Sequence, residues 1–574
     1  MGFIAPAPPP VDMEEWGRLP HLQRIKPLVQ DWGINGFGTP EAVYLLYLFK
    51  LVVFSVGAAL VISTTSGLGG LGNIGDWWTE PIVWQKLAVW TMVWEGLGLG
   101  CGSMPLTFRF VPPIGGPLYW LRPGTVRLAP WPKRLPFTGG TTRTPLDVAL
   151  YVGVVAAGVY LLVADGERVA GTAAGRLDPV AIAIMLALLG ALGLRDKVIF
   201  LGFRTEVYGF LLLVFLFPIN NLIVGSQIVL FCIWWGAASS KLNRHFPYVV
   251  SVMMSNTPWN RSRTAKKRLW RSHPEDMRPS GLSAFNSHAG TFIEFTLPLI
   301  LLLSSGGTIG KLAVVGMILF HVHITSTFPL AVPLEWNLFM IFGLLFLFGH
   351  YGDVPLDTFD SVPLAVILAA VGVGMPVLGN LRPDLVSFLP AMRYYAGNWA
   401  TSQWLFRKDT HAEEKLDSSI KKPARVVVEQ LTQIYGDRAF AELLLYKGLA
   451  FRSMHSHGRA LNGLIFRAVD DVEAYHVREG ELISGVVNGW NFGDGHFHDQ
   501  QLIEAVQERC HFAPGDVRVV TLESQPALED RQHYRIIDAA DGVIEEGWVE
   551  IDDMVAQLPW LDGSTHPAFP VHAT

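Results

Sequence analysis

Charge is scarce in this chain: only 16% of its 574 residues are Asp, Glu, Lys or Arg, while 50% are hydrophobic. Ordinary soluble domains carry roughly 25% charge, so the deficit points to a surface that faces lipid. Cysteine is almost missing. Cys101, Cys232 and Cys510 are scattered with no CxxC pair, which excludes a disulfide scaffold and a zinc ribbon. No Walker A run, GxSxG elbow, HExxH pair or dinucleotide fingerprint occurs, which argues against ATP-driven transport and serine hydrolysis. A secretory leader is lacking too. Met1 to Glu15 is proline-rich, with neither a basic n-region nor an apolar h-region, so the first membrane helix is expected to serve as its own insertion signal.

What is present is a series of apolar stretches. A membrane helix needs about 20 mostly apolar residues to cross about 30 Å of hydrocarbon at about 1.5 Å per residue. Ten stretches fit, near residues 43–63, 82–102, 147–164, 179–194, 198–217, 221–240, 290–305, 311–329, 335–350 and 361–380. With the N-terminus inside, the inner segments 1–42, 103–146, 195–204, 241–289 and 381–408 hold 25 basic residues; the outer segments hold four, Lys86, Arg168, Arg176 and Lys311. Basic residues gather on the cytoplasmic side. The expected location is therefore the inner (plasma) membrane, multi-pass, with both termini cytoplasmic. The run Arg261 to Arg278 carries seven of these charges. It reads either as a topology determinant with a solvated face or as a site for anionic headgroups or a nucleic acid; membrane lipids, and no nucleic acid, are the partners expected.

From Leu405 to Thr574 the balance reverses, with 28 acidic against 16 basic residues. The expected organisation is a cytoplasmic N-terminal segment (1–42), a transmembrane domain (43–404) with a basic cytoplasmic loop (241–289), a linker (405–423) and an acidic soluble domain (424–574). In that last part, helical patterns cover 424–436 and 438–454. Extended runs cover Val517 to Glu523 and about 534–551, with Ala540-Asp541-Gly542 as a hairpin turn. The fold class expected is an all-α polytopic bundle of about ten transmembrane helices plus a small C-terminal α+β domain.

Ionisable residues inside membrane helices are costly, and each is by default a functional hypothesis. Here they are Lys50, Glu95, Glu206, Lys241, Glu294, His321, His323, Glu335 and His350. His321 and His323 point about 200° apart on a helix, so at most one faces the interior with Glu294. In the acidic domain, His455 and His457 with Asp494, His496, His498 and Asp499 form the best metal candidate by residue type. Turn formation and helix capping by Asp494 and Asp499 is the plainer alternative.

Over nearly its whole length, through HSHGRALNG, GWNFGDGHFHD and the basic central loop, the chain resembles an uncharacterised family of bacterial transmembrane proteins, the domain of unknown function three-five-five-six. That resemblance implies no activity. More distantly, residues 195–350 resemble vitamin K-dependent γ-glutamyl carboxylases and their horizontally transferred relatives. The segments that carry it are QIVLFCIWWGAASSKLNRHFPYVVSVMMS, HAGTFIEFTLPLILLL and FHVHITSTFPL. The resemblance implies a base at Lys241, with Glu294 and His321 beside it; the family's upstream histidine has no counterpart in Arg204 to Tyr208.

These readings converge on Lys241, Glu294 and His321 as candidate catalytic residues sharing one membrane cavity. The expected function is an intramembrane enzyme or binding protein acting on a lipid or quinone, with membrane lipids as partners and no cofactor specified. The alternatives are a proton-coupled secondary transporter using Glu95, Glu294 and His321, and a scaffold recruiting partners through the acidic domain.

Overall fold

The computed structural model describes residues 3–100, 119–132, 134–327, 333–422, 424–560 and 571–573. Cys101, the end of the stretch expected at 82–102 and the last two residues of that at 311–329 lie outside them.

Five helices among the described residues are long and apolar enough to cross a membrane: Glu41–Ser63, Pro145–Val163, Ile219–Ser240, Thr308–Thr327 and Val362–Leu381. The first turns Leu45, Leu48, Phe49, Val52, Val56 and Leu60 outward and buries only Phe54, Ala58 and Ile62. A helix apolar on every side belongs in lipid. The protein is therefore membrane-embedded and mostly helical. The other five expected stretches are also helical, but shorter, broken or more polar: Pro81–Gly96, Pro179–Arg195, the pair Lys197–Gly202 and Tyr208–Phe215, Gly281–Leu303, and Leu334–His350. The third of these breaks at Arg204, whose φ of 53° lies in the left-handed region that an α-helix does not use. Leu334–His350 ends in a wide π-helical stretch, Leu344–His350. There Gln227 of the neighbouring helix donates to the carbonyls of Leu347 (2.8 Å) and Tyr351 (3.1 Å), satisfying backbone where no water reaches.

The C-terminal part is built on an antiparallel sheet of order β4-β3-β5-β6-β7-β8. Its strands are β3 (Thr401–Arg407), β4 (Tyr475–Glu479), β5 (Val517–Leu522), β6 (Arg531–Asp538), β7 (Gly542–Glu550) and β8 (His572–Ala573); a separate hairpin pairs β1 (Trp270–Ser272) with β2 (Asp276–Pro279). The expected turn joins β6 to β7, with Gly542 at φ 85°. The linker expected from residue 405 starts inside β3. Trp404, Leu405 and Phe406 are wholly buried between β4 and β5, so the sheet begins before the change in charge that marked the boundary. Helices Val427–Tyr435, Arg438–Met454, Ser456–Ala468, Gly480–Asn488 and Gln500–Cys510 belong to the same α+β unit.

Neither the N-terminal segment nor the loop 241–289 is a free arm. The helix His21–Asn35 and the helix Phe246–Asn256 share one apolar core with Trp270, Met277 and the soluble unit, through residues such as Ile25, Trp32, Val252, Leu449, Leu461 and Ile536. The other basic segments dock there as well. Tyr119 Oη donates to the carbonyl of Val487, Gln501 Nε2 to that of Ala129 (2.7 Å), and Lys197 Nζ to that of His496 (2.8 Å). At the opposite end, Asp165 accepts from Ser66, Glu80 from the Ala173 amide, and Asp360 from Asn221. The segments rich in Lys and Arg thus lie at one end of the bundle, with the soluble unit.

Candidate functional site

Gly281–Leu303 (α1 hereafter) is built inside out. It buries Ser283, Ser287, Thr291 and Glu294 and exposes Phe285, Phe292, Leu299 and Leu303. The spacing of three or four residues puts the polar set on one helical face, and polar groups inside a membrane turn to the bundle interior. Ser283, Ser287 and Thr291 carry no charge, so Glu294 is the one ionisable residue of this stripe.

The stripe leads to a cavity of about 350 Å³. Ile219–Ser240 ends there with Lys241 as its capping residue. Lys241 Nζ donates to Glu294 Oε2, both side chains are buried, and the ammonium sits 5.6 Å from the centre of the Phe246 ring. The remaining wall is mostly apolar and aromatic, including Ile233, Trp234, Met253, Phe320 and Trp336. Ile293 and His323 line the cavity while exposed on the bundle flank, so it opens between α1 and Thr308–Thr327 (α2 hereafter).

His321 is on this wall, 2% exposed. The Trp234 indole N–H donates to its Nε2 (3.1 Å), so Nε2 is the unprotonated nitrogen; Nδ1 then carries the proton and donates to Asn337 Oδ1 (2.7 Å). Both ring nitrogens are occupied. His321 therefore shapes the cavity wall, where the Lys241–Glu294 pair is a separate polar feature. His323 faces outward, as the helical angle requires.

Three wall residues come from places no local pattern suggested. Arg204 pairs with Glu206 (2.6 Å) and lies 4.7 Å from the Phe492 ring centre and 5.8 Å from that of Tyr394. Phe492 belongs to the GWNFGDGHFHD segment of the soluble unit, so that unit closes one side of the membrane cavity. Glu95 is buried but does not line it. Lys50 and Glu335 pair with each other elsewhere (3.1 Å), under the indole N–H of Trp94.

The six residues expected as metal ligands are not assembled into one cluster. Asp494 caps the turn at His496 and Asp499 caps the helix Gln500–Cys510. His498 Nδ1 is held by Ser402 (2.6 Å), while His455 and His457 stack beside Trp399. No group of three or more His, Cys, Asp or Glu among the described residues is placed to hold a metal ion. Burial pushes His455 and His498 down to about 3, so both are neutral at pH 7. His496 differs. Burial opposes its charge, but the Glu523 carboxylate at 2.9 Å outweighs that and raises it to about 9. The pair stands in a second cavity, about 530 Å³, on the open face of the sheet.

Residues 1–574 match the family described as "Transmembrane protein of unknown function (DUF3556)". No curated protein and no solved structure matches the chain, and the carboxylase resemblance finds no support in these comparisons.

Proposed function

The chain belongs, over its whole length, to this family of transmembrane proteins of unknown function, and from that premise we propose that it binds and acts on a lipid or quinone held in the cavity between α1 and α2. The observation that carries this reading is a lysine–glutamate pair buried in a chamber that is otherwise largely apolar and aromatic and opens on the flank of the bundle. Small-molecule sites are concave and mostly apolar, with a few polar groups that fix orientation. An amphipathic molecule with one polar end matches that distribution: its tail replaces lipid contacts along Ile293, Phe320 and Ile324, and its polar end meets Lys241 and Glu294. An ammonium and a carboxylate in contact can relay a proton to or from a hydroxyl brought against them, which is the function of a general acid–base couple. His321, oriented by Trp234 and Asn337, presents an uncharged aromatic wall.

The same reading takes ten spans with both termini in the cytoplasm of a bacterial inner membrane. It is supported by the 25-to-4 distribution of basic residues and by the docking of those basic segments around the soluble unit. In this arrangement the soluble unit, through Phe492, is positioned to sense whether the cavity is filled.

The test is direct. Purified protein is extracted and its co-isolated lipids and quinones are quantified by mass spectrometry, for wild type, Lys241→Met and Glu294→Gln. The reading predicts about one bound molecule per chain in the wild type and at least about a tenfold loss in either variant. Equal recovery from all three would remove the pair from ligand binding. Substrate flux that requires a proton gradient, with no bound molecule recovered, would favour a transporter instead.

A further inference from the structure

The chain between Phe246–Asn256 and α1 runs beside the cavity and is fastened to both helices that flank its opening. Trp259 Nε1 donates to Ser326 Oγ on α2 (2.9 Å), and its ring centre is 6.1 Å from that of His323, a residue of the cavity wall. On the other side, Ser280 and Ser283, at the start of α1, donate through Oγ to the carbonyls of Arg268 (2.6 Å) and Leu269 (2.8 Å). From Ser283, α1 reaches the cavity residue Ala289 within about 9 Å of axis.

Between these two fastenings stand Arg261, Arg263, Lys267 and Arg268. All four are exposed, and among the described residues none is ion-paired with a carboxylate. The acid nearest in sequence that is paired, Asp276, is taken by Arg278 at 2.6 Å. Around the cations, Trp259 (60% exposed), Leu282 (44%) and Phe285 (68%) turn apolar surface outward. Aromatic residues in this setting mark the headgroup level of a bilayer.

We propose that this segment is a headgroup seat for anionic phospholipids, and that the molecule occupying the cavity is a lipid of this class, not a quinone. The phosphate rests against Arg261, Arg263, Lys267 and Arg268, the polar glycerol and ester part of the same molecule reaches toward Lys241 and Glu294, and an acyl chain lies along Ile293, Phe320 and Ile324 between α1 and α2. Guanidinium groups bind phosphate through paired charge-assisted hydrogen bonds, and each cation near an anionic bilayer adds to the attraction. A quinone ring carries no charge for these four groups to meet. The inference rests on the reading of the cavity given above.

The experiment uses the full chain in detergent micelles, with fluorescent phosphatidylglycerol, phosphatidylcholine and a quinone analogue as probes. Two variants separate headgroup from cavity. In the first, Arg261, Arg263, Lys267 and Arg268 are all changed to Gln; a milder form, Arg261→Gln with Arg263→Gln, guards against misfolding. The second is Gly290→Phe, at a cavity-lining glycine where an added Cβ meets nothing within 4 Å. Wild type should bind phosphatidylglycerol saturably and about tenfold more tightly than phosphatidylcholine. The fourfold variant should lose that preference, the double variant about threefold of it, and Gly290→Phe should abolish binding of both lipids. Undiminished phosphatidylglycerol binding by the fourfold variant would overturn the proposal. So would its loss there with retention in Gly290→Phe, since the lipid would then sit on the surface alone. If the quinone analogue binds, is expelled by Gly290→Phe and ignores the basic residues, the cavity reading stands and this inference falls. If no probe responds to Gly290→Phe, the cavity reading itself falls.

Discussion

Two lysine–glutamate pairs are buried in the helical half, and their surroundings differ. Lys50 and Glu335 meet at 3.1 Å in packed helix, with the Trp94 indole N–H completing the carboxylate oxygen, and neither residue lines the cavity. Lys241 and Glu294 meet at the wall of a cavity of about 350 Å³. The chemistry of the two pairs is identical, so charge alone does not mark a functional site in a membrane. Access does. A pair with no cavity beside it joins helices, while a pair beside empty volume has room for a reacting molecule.

The largest effect that separates them concerns stability. Glu335→Gln leaves Lys50 facing a neutral partner in a packed interior, and breaking a buried pair costs about 3–5 kcal/mol. Chemical unfolding in detergent should register that loss, while ligand binding by the molecules still folded stays at the wild-type level. A variant with unchanged stability and impaired binding would reverse the roles assigned to the two pairs.

A third pair, in the soluble unit, sharpens the comparison because it titrates in water-accessible range. His496 is raised to about 9 and Glu523 is lowered to about 2, burial in each case being outweighed by the partner's charge. For His496, a raised value means that its contribution is complete below about pH 6.5 and disappears as pH rises through about 9. For Glu523, a lowered value means that the contribution is present above about pH 4.5 and fades as pH falls toward 2. Stability should therefore drop by on the order of 2 kcal/mol between pH 6.5 and 10 in the wild type, and His496→Gln should flatten that slope. A slope unchanged by the substitution would show that the pair does not govern it.

At the cavity the expected effects are smaller in stability and larger in function. Lys241→Met should reduce ligand binding at least tenfold, about 1.4 kcal/mol, with a smaller stability loss than Glu335→Gln because water can enter beside Glu294. Smallest of all is Lys241→Arg. It keeps the charge and the pairing, so unfolding should move by less than about 0.5 kcal/mol, yet proton transfer should be lost because arginine does not deprotonate. Turnover surviving in Lys241→Arg would limit the lysine to binding.

The sequence made one part of this site legible for a physical reason. Ionisable residues on apolar helices are rare and costly, which marks nine candidates in the sequence; the carboxylase resemblance narrows them to Lys241, Glu294 and His321, and all three line the same cavity. The same logic could not separate His321, held at both nitrogens, from a group free to react, because its partners Trp234 and Asn337 stand on two other helices. Arg204 and Phe492 escaped notice since nearly 290 residues lie between them. The six-residue metal pattern reads two ways in the sequence because Asp and His are also the residues that cap turns and helices. Strand β3 was missed because its buried run Trp404 to Phe406 directly follows the membrane domain, where a hydrophobic stretch looks like more of the same. The docking of the N-terminal helix and of the loop 241–289 was not legible because their partners, such as Leu449 and Leu461, are distant in the chain.

The most direct test of the account is a cryo-electron-microscopy map of the wild-type chain in nanodiscs made from its native lipids. The account predicts an elongated density entering between α1 and α2, with its polar end within hydrogen-bonding reach of Lys241 and Glu294. A map in which that cavity is closed by side chains, or in which Glu294 turns to the outer face of the bundle away from Lys241, would contradict it.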